Sequence, residues 1–258
     1  MHGHNQSFRS LLRRTSAAVI AVGLVLSMGC STSPEIEDEG VHAHHEDDAH
    51  QAPHTHESRA HHDHLGHHDH RFEDAESYAK RWNDPARHEW QQPEQVVAAM
   101  EIEEGMTVAD LGAGTGYFLP FLSEAVGPEG RVLAADVEPS MLEYMQGLID
   151  EMELTNVEII HADYDHSRLP EGAVDRLITV NTWHHIADRG EYSAHLRTRL
   201  TEEGSVWIVD FHQDSPTGPP AHHRLPEDVV VQELQAGGLN AAVHPLRLER
   251  QYIVVGHR

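Results

Sequence analysis

From Met106 onward the chain repeats one pattern: a short run of apolar residues, then a glycine or an acid, then a stretch with helical spacing. Thr107–Leu111, Arg131–Asp136, Val157–His161, Val174–Val180 and Ser205–Phe211 read as strands. Tyr117–Val126, Pro139–Met152, Arg189–Leu200 and Pro226–Ala236 read as the helices that follow or separate them. Gly127-Pro128, Gly204 and Gly237-Gly238 supply the stops. Alternation of this kind predicts an α/β domain, a mostly parallel sheet with helices on both faces. Two further runs, Ala241–Leu248 and Gln251–Gly256, read as a closing hairpin that adds an antiparallel last strand to make seven. Upstream, Ala75–Trp82 has helix-forming composition, Asp84-Pro85 marks a helix start, and Pro93 opens a helix over Glu94–Met100.

The polar positions fall where the strands end. Strand one leaves Asp110 before Gly112, Gly114 and Gly116, and the next helix follows directly. Glycines at such a turn let the backbone approach a ligand, and the helix offers free N–H groups and the positive end of its dipole. About twenty residues further on, strand two ends in Asp136, an acid placed to take both hydroxyls of a ribose. Strand three is followed by Asp163 and Tyr164, and strand four by Asn181, Thr182, Trp183, His184 and His185. Ligands of open α/β sheets sit at this carboxyl edge. The glycine spacing departs from the Gly-x-Gly-x-x-Gly of dinucleotide folds, which disfavours a nicotinamide-dependent reductase.

With Asp-x-Gly-x-Gly-x-Gly at residues 110–116, the acid Asp136, the His184-His185 pair after strand four and the late hairpin, the chain resembles the class I S-adenosylmethionine-dependent methyltransferases of the small-molecule type. The likeness runs from about Glu94 to the C-terminus. It implies a Rossmann-like sheet and S-adenosyl-L-methionine as cofactor. Gly112, Gly114 and Gly116 are then expected under the methionine moiety, with Asp110 bonding its amino group. Asp136 is expected on the ribose, Val137 against the adenine, Asp163 on the adenine amino group with Tyr164 beside it, and Asn181 near the sulfonium and the methionine carboxylate. The alternative for Asp163 is a helix N-cap.

Methyl transfer is an in-line displacement at a sulfonium, so the protein has to position the acceptor and remove a proton where the acceptor carries one. His184, His185 and His212 are the candidate bases, with His222, His223 and Arg224 in the loop beyond. Histidine titrates near neutrality and suits the task; one of the His184-His185 pair can equally serve to hold the loop. Trp82, Arg87 and Trp90 are candidate lid residues, or packing residues of the N-terminal helices. Cys30 is the single cysteine of the chain, so the domain beyond it has no cysteine nucleophile and no thiols to hold arsenic or mercury.

The front of the chain has a different character. Arg9, Arg13 and Arg14 precede an apolar run, Ala17–Leu26, that is short for a membrane span. Small residues and Cys30 follow, so residues 1–30 read as an export signal whose end is similar to a bacterial lipobox, with Ser27 where an aliphatic residue is usual. Cys30 is the expected lipidated residue. Residues 31–71 alternate histidine with acid and lack apolar periodicity, the composition of a disordered linker. His61, His62, His64, His67, His68 and His70 close that segment, and imidazoles at this density bind zinc, nickel or copper. The same segment also reads as a solvated spacer. Residues 72–258 form the predicted catalytic domain.

A formal net charge of −25 with one lysine, Lys80, disfavours nucleic acid and anionic membrane surfaces as partners. The expected partners are a small-molecule methyl acceptor and, by lipid anchor alone, a membrane. The rival reading is an envelope metal-binding lipoprotein whose methyltransferase-like domain is a ligand-binding module. S-adenosylmethionine is made in the cytoplasm, whereas the Cys30 signal points to the cell envelope. The expected location is therefore envelope-anchored, or cytoplasmic if residues 1–30 are not a signal.

Overall fold

The computed structural model describes residues 74–258. The expected signal, Cys30, the histidine-rich linker with its six candidate metal ligands, and Phe72 lie outside the described residues. Three short helices come first: α1 (Ala75–Trp82), α2 (Arg87–Gln91) and α3 (Pro93–Ala99). Asp74 caps α1 by accepting the Ser77 N–H at 3.0 Å. Asp84 Oδ1 accepts the Ala86 N–H at 2.8 Å, an Asx turn that leads into α2.

The remainder runs β1 (Thr107–Leu111), α4 (Leu119–Val126), β2 (Arg131–Asp136), α5 (Pro139–Met152), β3 (Val157–His161), β4 (Val174–Val180), α6 (Arg189–Arg199), β5 (Leu200–Phe211), α7 (Glu227–Ala236), β6 (Asn240–Val243) and β7 (Gln251–His257). These seven strands form one sheet in the order β3-β2-β1-β4-β5-β7-β6. The first five are parallel, and β7 pairs antiparallel with both β5 and β6. This is the Rossmann-like class I methyltransferase sheet expected from the sequence, with β1 and β4 at its centre. Val108, Ala109 and Leu111 of β1 are buried, as strands covered on both faces require. One layer of core is built by Leu111, Leu133, Leu177, Trp183, Leu196, Val206, Ile208 and Val254. Each such buried side chain contributes roughly 1.5–3 kcal/mol.

Three boundaries differ by more than one residue from the pattern read in the sequence. Helix α4 starts at Leu119 because Gly116, at φ 76°, keeps Tyr117 and Phe118 in the turn. Strand β5 starts at Leu200, since Leu200 pairs with Val174 ahead of a bulge. Gly204 fits there because a Cβ would stand 2.8 Å from the Val174 carbonyl oxygen. Strand β6 stops at Val243, two residues before Pro245, which has no N–H for the ladder.

Candidate functional site

The turn after β1 is held from below and covered from above. Gly112 and Gly114 adopt φ of 72° and 56°, the left-handed region that favours glycine. Thr182, just past β4, donates to the Gly112 carbonyl at 3.3 Å. A Cβ on Gly112 would stand 2.4 Å from Thr182 Cγ2, so no other residue fits without displacing the β4 exit. On the other side the Trp82 indole lies 3.4 Å from the point a Gly114 Cβ would occupy. Thr115 donates to Asn83 Oδ1 at 2.8 Å, which ties the end of α1 to the same turn. Trp82 therefore packs on the glycine turn itself.

Two buried acids flank the turn. Asp110 is 3% exposed, and no described residue donates a hydrogen bond to its carboxylate. Burial, then the neighbouring Asp136, pushes it up to about 7, with Arg87 opposing. Asp136 accepts the Gly114 N–H on Oδ2 at 2.8 Å and the Glu138 N–H on Oδ1 at 3.0 Å. Burial raises it too, and those backbone donors work against the rise. Beyond it Val137 is half-buried, and the exposed Tyr164 hydroxyl donates to Glu138 Oε1 at 2.9 Å. Asp163 is half-buried and bound by Arg168 through two bonds of 2.7 and 3.0 Å. That guanidinium holds it below the usual carboxylate range. No helix begins at Asp163, so the N-cap reading is not realised.

The β4 exit separates the two histidines. His184 is buried, with Nδ1 2.8 Å from Asp210 Oδ2 at the end of β5. An ionised carboxylate only accepts, so Nδ1 carries the proton. His185 is half-buried and its ring lies 4.1 Å from that of His184. Asn181 adopts φ 57° and donates its backbone N–H to the Val209 carbonyl at 2.8 Å. His212, just past β5, has Nδ1 3.3 Å from Glu227 Oε1, on a cavity of about 430 Å³ lined also by Asp214, Leu225 and Tyr252. Arg224 bonds the carbonyls of Pro219, Gln213 and Ser215, which makes it the staple of its own loop. Trp90 packs 5.9 Å from Phe211, between Arg87 and Arg250.

Residues 108–204 match the family model described as a methyltransferase domain. Over this segment the chain is similar to that family. It is 26% identical, over 119 residues, to the ubiquinone/menaquinone biosynthesis C-methyltransferase of Hahella chejuensis, a span of 46% of this chain and 47% of that protein. It is 25% identical over 119 residues to the demethylmenaquinone methyltransferase of Listeria welshimeri, 46% of this chain and 50% of that one. The chain thus spans about half the length of the curated relatives it matches. A solved S-adenosylmethionine-dependent methyltransferase from Aquifex aeolicus superposes with a TM-score of 0.66 at 29% identity, covering 70% of this chain and 97% of that one.

The structure brings Asp110, Gly112, Gly114, Gly116, Asp136, Val137 and Asn181 to one sheet edge, while the Asp163 carboxylate is engaged by Arg168 and the His212 ring faces Glu227. Four contributors were not singled out from sequence: Asp210, Thr182, Gln91 and Gln251. Asp210 had a signal, since it sits at the carboxyl end of a parallel strand like Asp110 and Asp136. Gln91 and Gln251 are fully buried amides from segments far apart in the chain, and no local pattern marks them. Among the described residues no group of three or more His, Cys, Asp or Glu could hold a metal, and no helix is long and apolar enough to cross a membrane.

Proposed function

We propose that the protein is an S-adenosylmethionine-dependent methyltransferase acting on a small molecule. The observation that carries this reading is Asp110: a buried carboxylate without a donor, beside a glycine turn clasped to Asp136. A buried acid in that state is destabilising unless a cation arrives to pair with it. The amino group of a methionine moiety is such a cation, and the glycines leave room for the chain that carries it. Asp110 would hold the ammonium, Asp136 and Glu138 would face the ribose, and Val137 with Tyr164 would border the adenine. When bound, S-adenosylmethionine supplies a methyl group activated on a sulfonium.

The chain's own residues then divide the remaining work. His184, fixed by Asp210, anchors the β4 exit. His185, more accessible and held against His184, is the base we assign for acceptors that carry a proton. The acceptor side is built by α1, α2 and residues 212–226, all outside the matched 108–204 segment. The acceptors of the quinone-methylating relatives are therefore not carried over, and the acceptor class stays a small molecule. For residues 1–71 we propose an export signal lipidated at Cys30 and a histidine-rich tether that takes up zinc, nickel or copper. The supporting features are the apolar run ending at Cys30 and the imidazole density.

Isothermal calorimetry of the full chain with S-adenosylmethionine, in the presence of a chelator to silence the tether, tests the cofactor reading. Micromolar binding is expected. No heat at millimolar cofactor from a folded protein overturns it.

A further inference from the structure

Four side chains from three separate segments form one hydrogen-bonded row through the edge of the domain. Arg87 Nε and Nη2 donate to Gln91 Oε1 at 3.2 and 3.1 Å. Gln91 Nε2 donates to Gln251 Oε1 at 2.5 Å, and Gln251 Nε2 donates to Asn181 Oδ1 at 2.6 Å. Gln91 and Gln251 are both 0% exposed, so neither amide can exchange its partner for water. The direction of the row is dictated by chemistry at its first member. A guanidinium has five N–H donors and no acceptor, so Gln91 can meet it only through oxygen. That turns the Gln91 NH₂ toward Gln251, the Gln251 NH₂ toward Asn181, and leaves the Asn181 NH₂ as the open end. No described residue accepts from Asn181 Nδ2.

Asn181 stands next to Thr182, which touches Gly112, so the open end lies beside the glycine turn. The same part of the cleft holds a buried acid, Asp110, and a half-buried cation, Arg87, whose charge opposes the rise of Asp110. An acid, a cation and an oriented amide donor together match the two ends of an α-amino acid: ammonium toward Asp110, carboxylate toward the donors.

We propose that Arg87, Gln91 and Gln251 are positioning residues, which hold the Asn181 amide with its N–H groups toward the carboxylate of the cofactor's amino-acid end. This rests on the cofactor reading above. It also makes α2 part of the site: the donor at Asn181 is oriented only while α2 is docked on β7.

The test compares two ligands of the full chain by calorimetry: S-adenosylhomocysteine, and 5′-methylthioadenosine, which lacks the amino-acid end. The variants are Gln91→Met and Gln251→Met, each of which breaks the row without changing charge, with circular dichroism and thermal unfolding to confirm folding. S-adenosylhomocysteine is expected to weaken roughly tenfold in each, the size of one misoriented hydrogen bond to a charged group. Methylthioadenosine is expected to bind as in the wild type. A purely structural role moves both ligands together, so equal weakening overturns the proposal, as does unchanged S-adenosylhomocysteine affinity. If a variant does not fold, Arg87→Met, which removes the donor-only group at the head of the row, decides: selective weakening of S-adenosylhomocysteine supports the proposal, and equal weakening of both ligands, or of neither, overturns it. Failure of the wild type to bind either ligand overturns the cofactor reading, and this one with it.

Discussion

Asp136 accepts the backbone N–H of Gly114 at 2.8 Å, across 22 residues of sequence. The acid expected to face a ribose is therefore also the clasp that closes the glycine turn. Its second oxygen is engaged by the Glu138 N–H at 3.0 Å. Removing the side chain frees two buried backbone donors at once. Asp136→Ala is expected to lower stability by about 2 kcal/mol as well as weaken cofactor binding. Urea unfolding of wild type and variant, with calorimetry alongside, checks both; an unaltered unfolding midpoint would contradict the clasp.

Asp110 carries the pH dependence. Its pKa is pushed up to about 7, chiefly by burial and next by Asp136. An ammonium ligand pairs with the ionised form, so affinity for S-adenosylmethionine should climb up to tenfold per pH unit as pH rises toward about 7, then level off. The empty protein should show the opposite trend. The folded pKa lies above the ordinary value of 3.8, so this group's contribution is most favourable below about 4 and is lost as pH rises through about 7. Asp110→Asn should abolish most binding, flatten its pH profile, and raise the unfolding temperature of the empty protein at pH 8. Binding to the wild type that is independent of pH between 5 and 8 would remove Asp110 from the role.

Much of this edge was legible in the chain because parallel strands buried on both faces announce themselves. Val108-Ala109 and Val132–Ala135 are apolar runs, and each leads into an acid, Asp110 or Asp136, at this edge. What stayed hidden has physical reasons. Strand β7 runs opposite to its neighbours, so its first residue, Gln251, and not its last, reaches the carboxyl edge. Reading that edge from strand ends alone passes over it. Gln91 has its partner 160 residues away. Asp210 lay within a run read simply as a strand, and its importance appears only when His184 is set against it. Asp163 shows the converse: its place after β3 suits a ligand acid, while the nearby Arg168 takes up both of its oxygens.

Gly112 and Gly114 should respond differently to alanine. Both lie at positive φ, which disfavours alanine by about 1 kcal/mol. Only at Gly112 does the added methyl group meet Thr182, at 2.4 Å, whereas at Gly114 it reaches ordinary contact with Trp82 at 3.4 Å. Gly112→Ala is expected to lose a further 1–3 kcal/mol, roughly. Pairing it with Thr182→Gly should return part of that loss. A double-mutant cycle in denaturant measures the coupling, and additive effects would show that the two residues do not meet.

His184 and His185 should separate by stability, whatever the acceptor proves to be. The side chains of His184 and Asp210 are 3% and 1% exposed, and their 2.8 Å contact is reinforced by the Phe211 N–H, which donates to Asp210 at 2.8 Å. His184→Ala leaves a buried carboxylate without its ring partner, which is strongly destabilising, by about 3 kcal/mol. Asp210→Ala should cost a similar amount by stranding the imidazole, and the double variant should cost less than the sum of the two. His185 is half-buried, outside that pair, so His185→Ala should change stability by no more than about 0.5 kcal/mol and leave S-adenosylmethionine affinity intact. Thermal unfolding of the four variants reads this directly. A His185→Ala variant as unstable as His184→Ala would assign both rings to holding the loop, and would leave the base to be sought among the residues after β5.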